Sequence, residues 1–322
     1  MEATAGKPVL HVIVSLDVEE EGLFSGRYPA RDCAVRNVAL LPRLAPLTLE
    51  LGFPLTLFCA YAVFSDARAR RVLAFMRDKC GAEIAAHLHH WSTPPLTTSP
   101  GGAPERTHAV PPDLLRRRLD ALLDAGRQFQ GAPLTSFRMG RWDMKAALRP
   151  MLKDAGIALD SSVCPLRAFP GGADHFLAPA DPYLAGGLLV SPITQVALAP
   201  ALARLWRGSV RRPALLDSFH FWGAVSPNPV WHSAWAMRLA ARLHAARGGS
   251  VLHLFWHSSE MLPGASPNVP DKAAARALFQ KIRAFLRWLQ EHFTVKPVTA
   301  AQLLDASETL RFPARPPGQG DW

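Results

Sequence analysis

Val9-Leu10-His11-Val12-Ile13-Val14-Ser15-Leu16, followed at once by Asp17-Val18-Glu19-Glu20-Glu21-Gly22, is the stretch on which the fold turns. Its first part, residues 9–16, is mostly aliphatic and reads as a buried strand, and the strand stops abruptly at a run of acids. Further strand-like runs fall at 54–60, 82–86, 133–137, 157–163, 187–191 and 250–256. Helix-like segments alternate with them at 37–51, 66–80, 113–129, 145–155, 229–246 and 272–293. Gly81 stops the second of these, Pro111 and Pro112 open the third, and Asp271 stands as N-cap of the last. Between 164 and 227, Pro and Gly recur too often to support more than the one strand. Residues 87–112 form a long loop rich in Pro, Gly, Ser and Thr, of the kind that is functional or disordered.

Strands alternating with helices imply a parallel sheet, and six to eight strands over about 290 residues predict a (β/α) barrel. The chain has 322 residues, 49% hydrophobic and 19% charged, which is ample material for one core. A single domain over 1–306 is therefore expected, with a loose tail over 307–322. No G-x-G-x-x-G or Walker sequence follows any strand, which argues against an open nucleotide-binding sheet.

Lys and Arg number 36 against 26 Asp and Glu, a net charge of +10 that favours anionic partners. Clusters such as Arg68-Ala69-Arg70-Arg71, Arg116-Arg117-Arg118 and Arg211-Arg212 sit in no helix-turn-helix, zinc-finger or RNA-binding signature. They read as solvated helix faces, so nucleic acid is not an expected partner. Cys33, Cys59, Cys80 and Cys164 form no C-x-x-C pair, which favours a reduced compartment. Without an export signal or a run of about 18 apolar residues, the expectation is a cytoplasmic protein with no transmembrane segment. Peripheral contact with a membrane is compatible with its charge.

In a (β/α) barrel the reactive groups follow the C-terminal ends of the strands. That rule collects Asp17 and Glu19, then His87, His89 and His90, then Arg138 and Arg141, then Asp160, and finally His257 and Glu260. One carboxylate and two neutral imidazoles, with a position left for water, suit a divalent ion such as Zn²⁺. Water on such an ion loses a proton near neutral pH. Residues two apart on extended backbone point the same way, so Asp17 with Glu19, and His87 with His89, are each expected to face one rim.

Four motifs appear in order: Ser15-Leu16-Asp17-Val18-Glu19; Glu83-Ile84-Ala85-Ala86-His87-Leu88-His89-His90-Trp91; Ser136-Phe137-Arg138-Met139-Gly140-Arg141-Trp142; and His253-Leu254-Phe255-Trp256-His257-Ser258-Ser259-Glu260. Over about residues 9–267 the chain thereby resembles the polysaccharide deacetylases of carbohydrate esterase family 4, the NodB-homology family. The likeness is strongest to a bacterial subgroup with an H-L-H-P-W loop and an F-R-x-G-R stretch. The resemblance implies a distorted, seven-stranded (β/α) barrel related to the TIM barrel. It also implies a divalent metal, zinc first, and removal of N-acetyl groups from a sugar or envelope-glycan precursor.

Two departures shape the assignments carried over. Val18 separates the acids, so the resemblance makes Asp17 the base and Glu19 the metal ligand. Trp91 stands where the second histidine usually falls, leaving His89 or His90 as the partner of His87, with His89 preferred because the subgroup has Pro at the place of His90. By the same resemblance His257 protonates the leaving amine, Arg138 pairs with Asp17, and Asp160 orients His257. Trp91, Trp142, Arg141 and Glu260 are the expected substrate contacts, against the plainer reading of the tryptophans as core. Two other readings compete: hydrolysis of a different C–N bond, such as a cyclic amide, and a catalytically silent glycan-binding module.

Overall fold

The structure, a computed structural model, describes residues 6–26, 28–96, 104–315 and 320–322. The expectations that touch 1–5, the 97–103 part of the proline-rich loop and 316–319 of the tail lie outside the described residues.

Eleven strands are present among these residues: β1 (Val9–Val18), β2 (Leu55–Cys59), β3 (Glu83–Leu88), β4 (Ser136–Met139), β5 (Leu159–Asp160), β6 (Tyr183–Ala185), β7 (Leu188–Val190), β8 (Val196–Ala197), β9 (Ala224–Val225), β10 (Val251–His257) and β11 (Thr294–Pro297). The main sheet runs β10-β1-β2-β3-β4-β5-β7-β6, parallel throughout until β6 returns antiparallel to β7. It curls into a distorted (β/α) barrel of one domain. β8 and β9 form a separate antiparallel pair.

The side-chain alternation of β1 explains the layers. Leu10, Val12, Val14, Leu16 and Val18 point outward into the large core shared with the surrounding helices. Ile13 points inward and packs with Phe58, Ala85, Leu159 and Leu189 from neighbouring strands. Ala300 and Leu303 of the helix Ala300–Leu310 join this inner cluster and plug the base of the barrel. Because both faces are covered, the strand carries a continuous apolar run. Moving up the inner face from Ile13 leads to Ser15 and then Asp17, so the same parity that fills the barrel delivers a carboxylate to its mouth.

Several expected helices form with the expected signals. Asp66 caps Ala67–Cys80 by accepting from Ala69 N, and Asp271 caps Lys272–His292 by accepting from Ala274 N at 2.8 Å. The latter helix buries Leu278, Ile282, Phe285, Leu286, Trp288 and Leu289, each contributing roughly 1.5–3 kcal/mol of hydrophobic stabilisation. The expected helix at 37–51 is instead a 3-10 segment, Arg36–Leu44, running into a short helix, Ala45–Leu49. Pro42 and Pro46 bring no N–H to an α-helical ladder. The segment from Pro229 becomes helical only at Ala234, where Ser233 supplies the cap. Helix Pro200–Ser209 and strand β11 were not expected; β11 pairs with the first residues of β1, from Val9 to Val12.

Closure of the barrel does not use a regular ladder. Pro192 interrupts the segment after β7, which nonetheless bridges to β10: Thr194 N donates to His253 O at 3.0 Å and His253 N donates to Thr194 Oγ1 at 2.8 Å. The expectation of a loose tail from 307 also needs correction. Helix Ala300–Leu310 continues through that boundary, Phe312 and Trp322 are buried, and Asp174 N donates to the Asp321 carboxylate at 3.0 Å.

Candidate active site

The register of the parallel strands brings the motifs together. Asp17 lies opposite His257 across β1 and β10, and His87 lies opposite Arg138 across β3 and β4. All are at the C-terminal ends of their strands, as a (β/α) barrel requires.

Glu19, His87 and His89 each offer one ligand atom, and these atoms all lie within 4.8 Å of one another. The Glu19 carboxylate oxygen Oε2 is 3.4 Å from His87 Nε2 and 3.3 Å from His89 Nε2. Each imidazole is set by its other nitrogen. His87 Nδ1 donates to Arg138 O at 3.1 Å, and His89 Nδ1 donates to Glu20 Oε1 at 2.9 Å. Both Nε2 atoms therefore face the carboxylate, the aim that a metal-binding histidine needs. Burial alone would raise the Glu19 pKa, but His257, His87 and His89 outweigh it and hold the carboxyl well below its usual range. His89 is pushed up to about 10, because Glu20 and Glu19 overcome the opposing effect of burial. Cation binding would displace that proton, so metal uptake at this cluster is coupled to proton release.

The donor set fits a divalent ion: two imidazole nitrogens from His87 and His89 and one carboxylate oxygen from Glu19 converge. His90, expected as a possible ligand, is excluded by geometry. Its Nε2 donates to Glu105 O at 3.1 Å, and its ring stands edge-on to Trp91. Strand β3 ends at Leu88, and one further residue turns the His90 side chain away from the side shared by His87 and His89.

Asp17 is buried beside this cluster. Arg138 Nη1 donates to its Oδ1 at 2.5 Å, while its Oδ2 stands 3.8 Å from His257 Nε2 and 4.0 Å from His87 Nε2. Arg138 is wholly buried and fully committed: Nη2 donates to Ser15 Oγ and Ser161 Oγ at 3.0 Å each, Nε donates to Ser161 O, and the guanidinium sits 4.1 Å over the Phe58 ring. His253 accepts from Arg138 Nη2 through Nε2 at 3.1 Å; burial and the adjacent Arg138 charge hold its pKa far down, so it stays neutral. Ser15, Ser161 and His253 thus form a collar around Arg138 that the motifs alone did not reveal. The alternation of β1 and β10 was the available signal, since Ser15 and His253 share inward parity with Asp17 and His257.

His257 departs most from expectation in its partner. Asp160 does not reach it: Oδ2 accepts from Arg149 Nε at 3.0 Å and Oδ1 accepts from Ser162 N at 2.9 Å, deep in the wall. Glu260, expected to touch substrate, takes that position. His257 Nδ1 donates to Glu260 Oε2 at 3.0 Å, and the same oxygen accepts from His257 N. The one-turn spacing of His257 and Glu260 on the 3-10 segment Ser258–Met261 makes this contact local, whereas Asp160 would have had to cross the barrel. Burial lowers the imidazole pKa, but the Glu260 and Glu19 charges exceed it and raise His257 to about 9.

The tryptophans are largely buried. Trp91 stacks on His89 with ring centres 4.3 Å apart, and Trp142 stands against Phe255 at 4.9 Å. Both wall the site, and Trp91 fixes the plane of His89. Arg141 is turned outward, donating to Pro104 O at 2.9 Å and lying over Tyr28. A cleft of about 940 Å³ lies between the segments that follow β1 and β10, lined by Glu21, Ser25, Tyr28, Leu262 and Pro263 among others and by none of the cluster residues.

The strand order and the half-closed sheet define a distorted (β/α) barrel with a His–His–Glu cluster at its rim. Among solved structures, the chain is similar to a protein assigned as a polysaccharide deacetylase from Mycobacterium smegmatis, with a TM-score of 0.60 and 18% identity over 99% of this chain and 96% of that one. It is also similar to the Puue allantoinase, with a TM-score of 0.57 and 13% identity over 95% and 92% of the two chains. A further protein assigned as a polysaccharide deacetylase, from Pseudomonas aeruginosa PAO1, aligns with a TM-score of 0.55 and 14% identity over 94% and 92%. No protein-family model matches the chain, and no curated protein matches it in sequence. At these identities the likeness establishes the shared fold.

Proposed function

We propose that the chain is a metal-dependent hydrolase of the polysaccharide deacetylase, NodB-homology type, removing an acetyl group from the amine of an N-acetylated sugar. The observation that carries this reading is the juxtaposition of a His87-His89-Glu19 cluster with the Arg138-Asp17 ion pair and the Glu260-His257 pair. A divalent ion, zinc by the nature of these donors, would be held by Glu19, His87 and His89 and would supply polarisation of the amide carbonyl and a more acidic water.

Each remaining task falls to a side chain of the chain itself. Asp17 Oδ2 faces the cluster and accepts the proton of the attacking water, while Oδ1 is tied to Arg138, which keeps the carboxylate aimed. His257, raised to about 9, is protonated at neutral pH and donates from Nε2 to the departing amine; Nδ1 remains anchored on Glu260. Asp17 Oδ2 and His257 Nε2 are 3.8 Å apart, so a base and an acid share the mouth of the barrel.

The test is acetate release from N-acetylglucosamine-bearing oligosaccharides by zinc-loaded protein, with chelation and Asp17→Asn as controls. Turnover abolished by both supports the proposal, and full activity of Asp17→Asn would sink it. The likeness to an allantoinase keeps cyclic-amide hydrolysis as a second reading. Ring opening without acetate release distinguishes it, and glycan affinity with no turnover of either substrate would mark a silent binding module.

A further inference from the structure

Eight of the thirteen exposed large hydrophobic side chains among the described residues fall between positions 198 and 235. Leu202 and Leu205 stand three residues apart on the helix Pro200–Ser209, which turns both to solvent, Leu205 being 65% exposed, and exposed Leu198 lies just before its cap. Beyond it stand Phe221 at 80% and Trp235 at 70% exposure, with Leu215, Trp222 and Trp231 between. These are held together from below. Trp206 and Phe219 pack edge-to-face against Trp222 from beneath the surface.

The patch is also basic. From 198 to 235 the only acid is Asp217, and Arg167 takes both of its oxygens. Arg204, Arg211 and Arg212 are exposed and have no ion-pair partner among the described residues. Exposed Trp, Phe and Leu interleaved with free Arg is the composition of a surface that lies in the headgroup layer of an anionic bilayer, where rings and alkyl groups sink and guanidiniums meet lipid phosphate. A protein partner would be expected to cover such aromatics with less need for unpaired cations. No helix among the described residues is long and apolar enough to cross a membrane, so the contact would be peripheral.

We propose that the 198–235 face docks the protein on anionic lipid bilayers. The docked face adjoins the reaction site: Trp231 packs on Phe255 at 5.1 Å, and Phe255 on His257 at 5.7 Å. Docking would hold the mouth of the barrel near groups presented at a lipid surface. The proposal stands on the patch alone and survives failure of the deacetylase reading.

The experiment is co-sedimentation of the full chain with vesicles of phosphatidylcholine alone or mixed with phosphatidylglycerol. Expected are binding to the phosphatidylglycerol vesicles only and its loss as salt rises from about 0.1 M to about 1 M, where the screening length shrinks from about 10 Å to about 3 Å. The combined variant Leu205→Ser, Phe221→Ser, Trp235→Ser should weaken binding about tenfold or more, with an unchanged circular dichroism spectrum. Arg211→Glu with Arg212→Glu, which leaves the apolar groups in place, should weaken it too. Absence of sedimentation, or sedimentation that neither variant reduces, overturns the proposal. So does a solution dimer that the triple-serine variant dissolves, since a second copy would then be the occupant.

Discussion

Glu20 touches no position where a substrate would react, yet the aim of His89 depends on it, because Nδ1 of that ring has Glu20 as its anchor. Its replacement by Gln keeps the shape and removes the charge. Zinc affinity measured by chelator competition should fall roughly 10- to 100-fold, with the fold retained. Asp17→Asn should leave zinc binding nearly intact and lower kcat by about 10²–10⁴-fold, separating the base from the ligands. For His257 the sign is fixed by its raised pKa of about 9: the protonated acid is present below that pH and lost above it, so activity should decline on the alkaline side. Glu260→Gln removes the largest charge holding the proton, and the alkaline limb of the kcat profile should move to lower pH. An unmoved limb would exclude His257 as the acid. Legibility at this scale was uneven. Asp17, Glu19, His87 and Arg138 could be picked out because each ends a strand, whereas Glu20 was hidden among neighbouring acids. The Glu260 contact was missed because a carboxylate one turn away looks like any other loop acid until the 3-10 turn is seen.

Strand parity decides what each element contributes. β1 sends even-numbered side chains to the helices and odd-numbered ones inward, so a one-residue slip would exchange Asp17 for Leu16. The alternation was readable in advance, and the seven expected strands fall within a few residues of β1 to β5, β7 and β10, whereas β6, β8, β9 and β11 were not read. The helix starts capped by Asp66 and Asp271 were equally readable. Elements interrupted by proline were not: Pro42, Pro46 and Pro229 shift helices toward 3-10 turns or later starts for lack of a donor. The turn after β4 carries a steric requirement that reaches the site. A Cβ on Gly140 would fall 2.4 Å from His89 Cδ2 and 2.8 Å from Leu88 O. Gly140→Ala should therefore displace His89 and the β3 end together. The expected cost is about 1–3 kcal/mol in denaturant unfolding with a parallel loss of zinc affinity; a fully stable, zinc-binding variant would contradict the geometry.

Across the whole molecule, the barrel is a sheet whose two edges never pair directly, and Thr194 spans the gap. Thr194→Val keeps the volume but leaves His253 N–H without its acceptor in a buried site. A loss of about 1–3 kcal/mol in unfolding free energy is expected, together with reduced kcat, since His253 accepts from the arginine that holds Asp17. Barrel class was legible from the alternation of elements. The closure was not, because it is made by an irregular stretch between Pro192 and Gln195 whose sequence has no period to read.

The first strand of the chain is flanked by two that come very late in it, β10 at 251–257 and β11 at 294–297. During synthesis β1 and its early neighbour β2 emerge from the ribosome long before β10 and β11 exist. The late pairings close loops of more than two hundred residues, so the barrel mouth is among the last parts that can assemble and the nascent chain must meanwhile shelter an apolar strand paired on one side only.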